Sequence, residues 1–222
     1  MRADQESGKM QLVGWIRFKA SIDWKTQRGI IPFLIILALL VRFWTDSIHY
    51  FTEFTEVDYL DPLDFSGVPI PYFVTHGINV IILIPVIEEL VFRGIMLDNL
   101  LKRNYNAILA IVISSFFFAL IHIKPLDVLN SIPSASGAFL FGIVAGLIYQ
   151  KTRNLHLVIL MHCTANLYSF IFSDIYFSEY WNLIIRFNLW LYLILVLATI
   201  VLSILMIKIV LSTYLKGLKN ND

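Results

Sequence analysis

Apolar residues along this chain come in long blocks separated by short polar stretches. A membrane helix needs about 20 mostly apolar residues, with a range of roughly 17–25. Six blocks fit, and they are predicted as helices at about 29–45 (GIIPFLIILALLVRFWT), 69–92, 107–123 (AILAIVISSFFFALIHI), 132–150, 155–173 and 187–212. The last carries no charge until Lys208. An earlier stretch at 12–20, LVGWIRFKA, mixes apolar and basic positions and reads as an interfacial helix rather than a span. The expected fold is all-α: a polytopic membrane helix bundle of about six transmembrane spans with an N-terminal interfacial helix, in one domain, 1–222.

Composition supports this reading. Of 222 residues, 58% are hydrophobic and 15% charged, against about 25% charged in an ordinary soluble domain. The net charge of +1 says little, but its distribution says more. Arg2, Lys9, Arg17, Lys19, Lys25 and Arg28 precede the first block, whereas the connection at 46–67 has six acidic residues and no Lys or Arg. Lys102 and Arg103 follow the second block, Lys151 and Arg153 the fourth, and Lys208, Lys216 and Lys219 close the chain. The intervening connections carry only Lys124 beside Asp127, and a single Arg186 beside Asp174 and Glu179. Basic residues favour the cytoplasmic side, so this alternation places a multi-pass chain in the cell membrane with both termini in the cytoplasm. No secretory signal is visible in the polar, basic first 28 residues. Cys163 is the only cysteine, which excludes an internal disulfide and a multi-cysteine metal site; it reads as a small buried side chain. Ala138, Gly142 and Gly146, at four-residue spacing, read as a close helix–helix contact.

A charge at the bilayer centre costs roughly 2.5–3.5 kcal/mol on insertion scales, so the stretch IPVIEELVFRG at 84–94 calls for a reason. Glu89 and Arg93 stand four apart on one helix face and can pair. Glu88 points about 100° away, which suggests a second partner or a catalytic duty. His122 follows Phe118 by one turn, and His162 and Asn166 share a face of the fifth block. Each group alone is explained by hydrogen bonds between helices. Together they bring carboxylates, two imidazoles and an amide from three helices, and polar groups inside a bilayer face a bundle interior or a water-filled cavity. A carboxylate and two histidines can activate water by base catalysis or around a metal. An amide can stabilise an oxyanion. Those are the parts needed to hydrolyse a peptide bond. No HExxH helix and no GxSxG elbow is present.

EELVFRG, FALIH and HCTAN, in that order on successive helices, resemble the three motifs of the CAAX-protease and bacteriocin-processing (Abi) family, which includes the type II CAAX prenyl endopeptidases. The motif-bearing core is about 69–173. The resemblance implies an intramembrane endopeptidase acting on a membrane-associated peptide or protein. It implies that Glu88 is the base that activates water and that His122 helps hold it. His162 and Asn166 would complete the site and stabilise the oxyanion, while Glu89 and Arg93 would support the architecture, with Phe118 marking the second motif. It leaves open a metal-free glutamate mechanism and a divalent metal such as zinc on Glu88, His122 and His162. Membrane lipids are the expected surroundings, with no nucleic acid partner, and the short Ile- and Asn-rich chain reads as bacterial.

Two other functions compete. The same fold can serve as a non-catalytic immunity or regulatory protein of the membrane. A small proton-coupled transporter is the third reading, disfavoured because no inverted repeat is evident. One geometric difficulty accompanies the protease reading. If the second helix ends near 92, Glu88 lies near the cytoplasmic surface while His122 lies about 22 Å into the third helix. The two meet if residues 92–101 continue the second helix, or if the third helix starts deeper.

Overall fold

The computed structural model describes residues 24–53, 69–173 and 189–219. The interfacial helix expected at 12–20 and most of the acidic segment lie outside the described residues. Apolar runs in lipid satisfy their backbone polar groups internally only as helices or closed barrels. Here they form an all-α membrane helix bundle, with no strand among the described residues. The helices are α1 (Trp24–Glu53), α2 (Ile70 to Lys102), α3 (Ala107–Leu120), α4 (Val128–Thr152), α5 (Leu155–Tyr168, extended by a π turn at Ser169–Ser173) and α6 (Leu189–Lys219). Stretches in α1, α4 and α6, at Gly29–Ser47, Val128–Thr152 and Leu189–Lys216, are long and apolar enough to cross a membrane. The α3 helix and Leu155–Ile171 of α5 are shorter apolar helices.

The second helix departs most from expectation. It continues ten residues past the expected end at 92. It is α-helical at Ile70–Ile78, Ile84–Glu89 and Asp98–Lys102, and π-helical at Asn79–Leu83 and Leu90–Leu97. Glu88 thus lies near the middle of α2, about 20 Å from Lys102, and His122 lies about 20 Å from the start of α3 at Ala107. The continuation of α2 through 92–101 removes the mismatch in depth. The α3 helix is shorter than expected and ends at Leu120, so His122 sits in the turn just beyond it.

Capping marks the short connections. Asn106 Oδ1 accepts from Ile108 N and Leu109 N to start α3, and Asn154 Oδ1 accepts from His156 N to start α5. Between α4 and α5 the chain turns through Arg153 at φ 50°. The core is formed by Ile30, Leu34, Leu37, Ala38 and Val41 of α1 with Val144, Ala145 and Ile148 of α4 and Leu157, Val158 and Met161 of α5. The close contact expected at Gly142 and Gly146 is between α3 and α4. A methyl group at Gly142 would come within 2.9 Å of Ser115 Cβ, and one at Gly146 within 2.9 Å of Ile111 Cγ2. The α6 helix packs against α1, where Tyr192 Oη donates to Ser47 O and Trp44 Nε1 to Ser203 Oγ; near its other end Tyr214 Oη donates to Thr152 O. Cys163 is half-buried rather than buried, because its position on α5 faces away from the core set by Val158, Met161 and Ala165.

Candidate active site

The middle of α2 meets α5 in a compact polar cluster. Glu89 and Arg93 are fully buried and joined by a 2.9 Å ion pair, Arg93 Nη1 to Glu89 Oε1, as their four-residue spacing requires. Arg93 Nη2 donates to Gly142 O at 3.2 Å, and its guanidinium lies 4.6 Å above the centre of the Phe118 ring. The glycine at 142 therefore serves two ends: it lets α3 approach α4, and its carbonyl receives the arginine. A buried guanidinium needs this much company, because an ion in low dielectric is costly unless paired and hydrogen-bonded.

Glu89 Oε1 also receives His162, whose Nδ1 lies 2.9 Å away. A carboxylate that already accepts from Arg93 accepts here as well, so the imidazole donates from Nδ1 and turns Nε2 to the other side. That Nε2 faces Glu88 Oε2 at 3.6 Å. The distance exceeds a hydrogen bond but leaves both atoms within reach of a single water. Glu88 differs from its neighbour in exposure. Its side chain is 16% accessible, against 0% for Glu89 and 1% for Arg93. The adjacent glutamates, pointing to different sides of α2, thus have different company: Glu89 is locked into the core and Glu88 opens toward the edge of the bundle.

Aromatic rings close the cluster. Phe118 lies 5.7 Å from the His162 ring and 4.9 Å from the His122 ring, and Phe141 lies 4.8 Å from His162. His122 donates from Nδ1 to Phe118 O at 2.9 Å, so its Nε2 is free. Among the described residues no hydrogen bond or ion pair links His122 to Glu88, Glu89 or His162; the Phe118 ring bridges the two imidazoles. Asn166 sits one turn beyond His162 and donates from Nδ2 to Val80 O at 2.9 Å. It is thus attached to the backbone of α2, eight residues before Glu88.

Sequence spacing pairs Glu89 with Arg93 but does not reveal that Glu89 also orients His162. It also misses Phe141, the carbonyl of Gly142, and Ser114, whose Oγ donates to Phe92 O at 2.8 Å. Serine at 114 on an apolar helix was the available signal, since a hydroxyl in hydrocarbon finds an acceptor. Among the described residues, no three His, Cys, Asp or Glu side chains are grouped so as to hold a metal ion. Glu88, His122 and His162 do not form such a group here, so no step is routed through a metal.

The family described as type II CAAX prenyl endopeptidase Rce1-like matches residues 70–168, which take in Glu88, Glu89, Arg93, Phe118, His122, His162 and Asn166. Neither the curated proteins nor the solved structures gave a match. The segment that carries the whole cluster is thus similar to the type II CAAX prenyl endopeptidase Rce1-like family.

Proposed function

We propose that the protein is a CAAX-type intramembrane endopeptidase that uses Glu88 to activate water against a peptide bond of a membrane-associated peptide or protein. The observation that carries this reading is the difference between the paired glutamates: Glu88 is partly open and faces Nε2 of His162, while Glu89 is sealed and holds the opposite nitrogen. A water between Glu88 Oε2 and His162 Nε2 gives its proton to Glu88 as its oxygen attacks the carbonyl carbon. His122, with Nε2 free, helps hold that water. The proton passes from Glu88 to His162 Nε2, which then offers an N–H to the oxyanion. Asn166 adds its second amide hydrogen, the first being committed to Val80 O. When the tetrahedral species collapses, the C–N bond breaks and His162 returns the proton to the leaving amine. Glu89 holds the imidazole in the required tautomer throughout, and Arg93 balances its charge.

The chain is read as six-spanning, with both termini and the connections near 103 and 152 in the cytoplasm. Reporter fusions test this directly. Cytoplasmic placement of 46–67 would overturn it, because charge alternation is its main support. The test of function is hydrolysis of a membrane-peptide library by purified protein in lipid vesicles, wild type against Glu88→Gln, with and without a chelator. Cleavage by wild type alone, unaffected by chelator, is the expected result. Normal cellular activity of a well-expressed Glu88→Gln protein would show instead that the biological role is binding, as in an immunity or regulatory protein.

A further inference from the structure

The π segment at Asn79–Leu83 leaves one carbonyl without a partner in its own helix. Ile84 N–H bonds to Asn79 O, five residues back. By the same pattern the next residue would serve Val80 O, but that residue is Pro85, which has no N–H. In a membrane an unpaired backbone carbonyl is costly, and a neighbouring side chain can supply the missing donor. Asn166 Nδ2 lies 2.9 Å from Val80 O. The same α5 face, one turn earlier, carries His162 with its contacts to Glu88 and Glu89. The α5 helix therefore holds α2 at two points, one before Pro85 and one after it. The second π segment follows a similar plan, with Phe92 O receiving Ser114 Oγ from α3 at 2.8 Å. Glu88 stands between these two supported segments.

We propose that Asn166, besides the oxyanion contact of its second amide hydrogen, has a separate positioning role: its first amide hydrogen replaces the main-chain hydrogen bond deleted by Pro85 and so fixes the direction in which Glu88 meets His162. The assignment of Glu88 as base comes from the proposed function, but the hydrogen-bond replacement does not depend on it. Asparagine at 166 is then required by proline at 85. Aspartate there, when ionised, would place an acceptor against the Val80 carbonyl and fail as a pin.

A double-substitution cycle tests the inference without a substrate. Asn166→Ala should lower the thermal midpoint of the detergent-solubilised protein by about 2–4 °C, the shift expected in a chain of this size when one bond of about 1 kcal/mol is lost. Pro85→Ala restores an N–H on α2. In that background Asn166→Ala should cost at most a third of its original shift. The carboxyl stretching band of Glu88, identified by its disappearance in Glu88→Gln, reports position independently. It should move in Asn166→Ala and return in the double variant. A general loss of helix packing would not be repaired in this way. Additive losses in the two backgrounds, or a Glu88 band unmoved by Asn166→Ala, would overturn the proposal. A failure to cleave any peptide would overturn the proposed function and leave this cycle intact.

Discussion

Glu89 and Asp98 both stand on α2, and each is held between a cation four residues on and a basic side chain from beyond the helix. Glu89 has Arg93 and His162; Asp98 has Lys102 and Arg153. Arg93 Nη1 and Arg153 Nη1 each reach their carboxylate at 2.9 Å. Burial separates the two. Arg93 is 1% accessible, whereas Lys102 and Arg153 are 64% and 48% accessible. At the end of α2 water competes for both cations, and a pair with an exposed partner contributes about 0–1 kcal/mol. In the middle of α2 no water replaces a lost partner, and breaking a buried pair costs about 3–5 kcal/mol. The same arrangement of charges thus fastens a helix end at one place and fixes the tautomer of a histidine at the other.

The largest expected effect is on activity. Glu88→Gln keeps the shape and removes the base, so cleavage should fall to background while the protein stays folded in the membrane. His162→Ala should do the same. The double variant should be no worse than either single one, because groups that act as a unit are not additive. Asn166→Ala should be milder, about 10²–10³-fold in turnover for the loss of one oxyanion donor. Equal stability loss in Glu88→Gln and Arg93→Ala would break the comparison, since Glu88 is the partly open carboxylate and owes little to packing.

The next effect is on stability. Arg93→Ala leaves the buried Glu89 carboxyl with only His162, and should lower unfolding stability by about 3–5 kcal/mol, or abolish accumulation of the protein. Arg93→Met combined with Glu89→Gln removes both charges, and the glutamine carbonyl still accepts from His162 Nδ1–H. That double variant should be more stable than Arg93→Ala, measured by thermal denaturation in detergent. Full stability of Arg93→Ala together with lost activity would instead make Arg93 a substrate or transition-state contact.

Periodicity made the Glu89–Arg93 pair legible, because both partners lie on one helix. It could not show His162 at Glu89 or Asn166 at Val80, since each contact joins two helices. The end of α2 is hidden in the sequence for a related reason. Residues 93–102, RGIMLDNLLK, are too polar to read as a span, yet they stay helical because Asp98, Lys102 and Arg153 satisfy one another there. Pro85 carries a further signal. A proline inside a helix predicts an orphan carbonyl on the preceding turn, and an asparagine on a neighbouring span is a candidate donor for it.

The smallest effect belongs to the rim. Lys102→Ala removes the four-residue partner of Asp98 and leaves Arg153 Nη1 in place at 2.9 Å. Lysine and alanine are both good helix formers, so propensity changes little. The expected loss is about 0.2–1 kcal/mol at low salt. It should shrink as ionic strength rises to 1 M, where the screening length falls to about 3 Å. The loss in Arg93→Ala should persist at the same salt, because the buried pair is beyond the reach of mobile ions. Thermal denaturation of both variants at low and high salt therefore measures the contrast directly. A salt-independent loss of several kcal/mol in Lys102→Ala would mean that Asp98 at the end of α2 is as isolated from water as Glu89 in its middle.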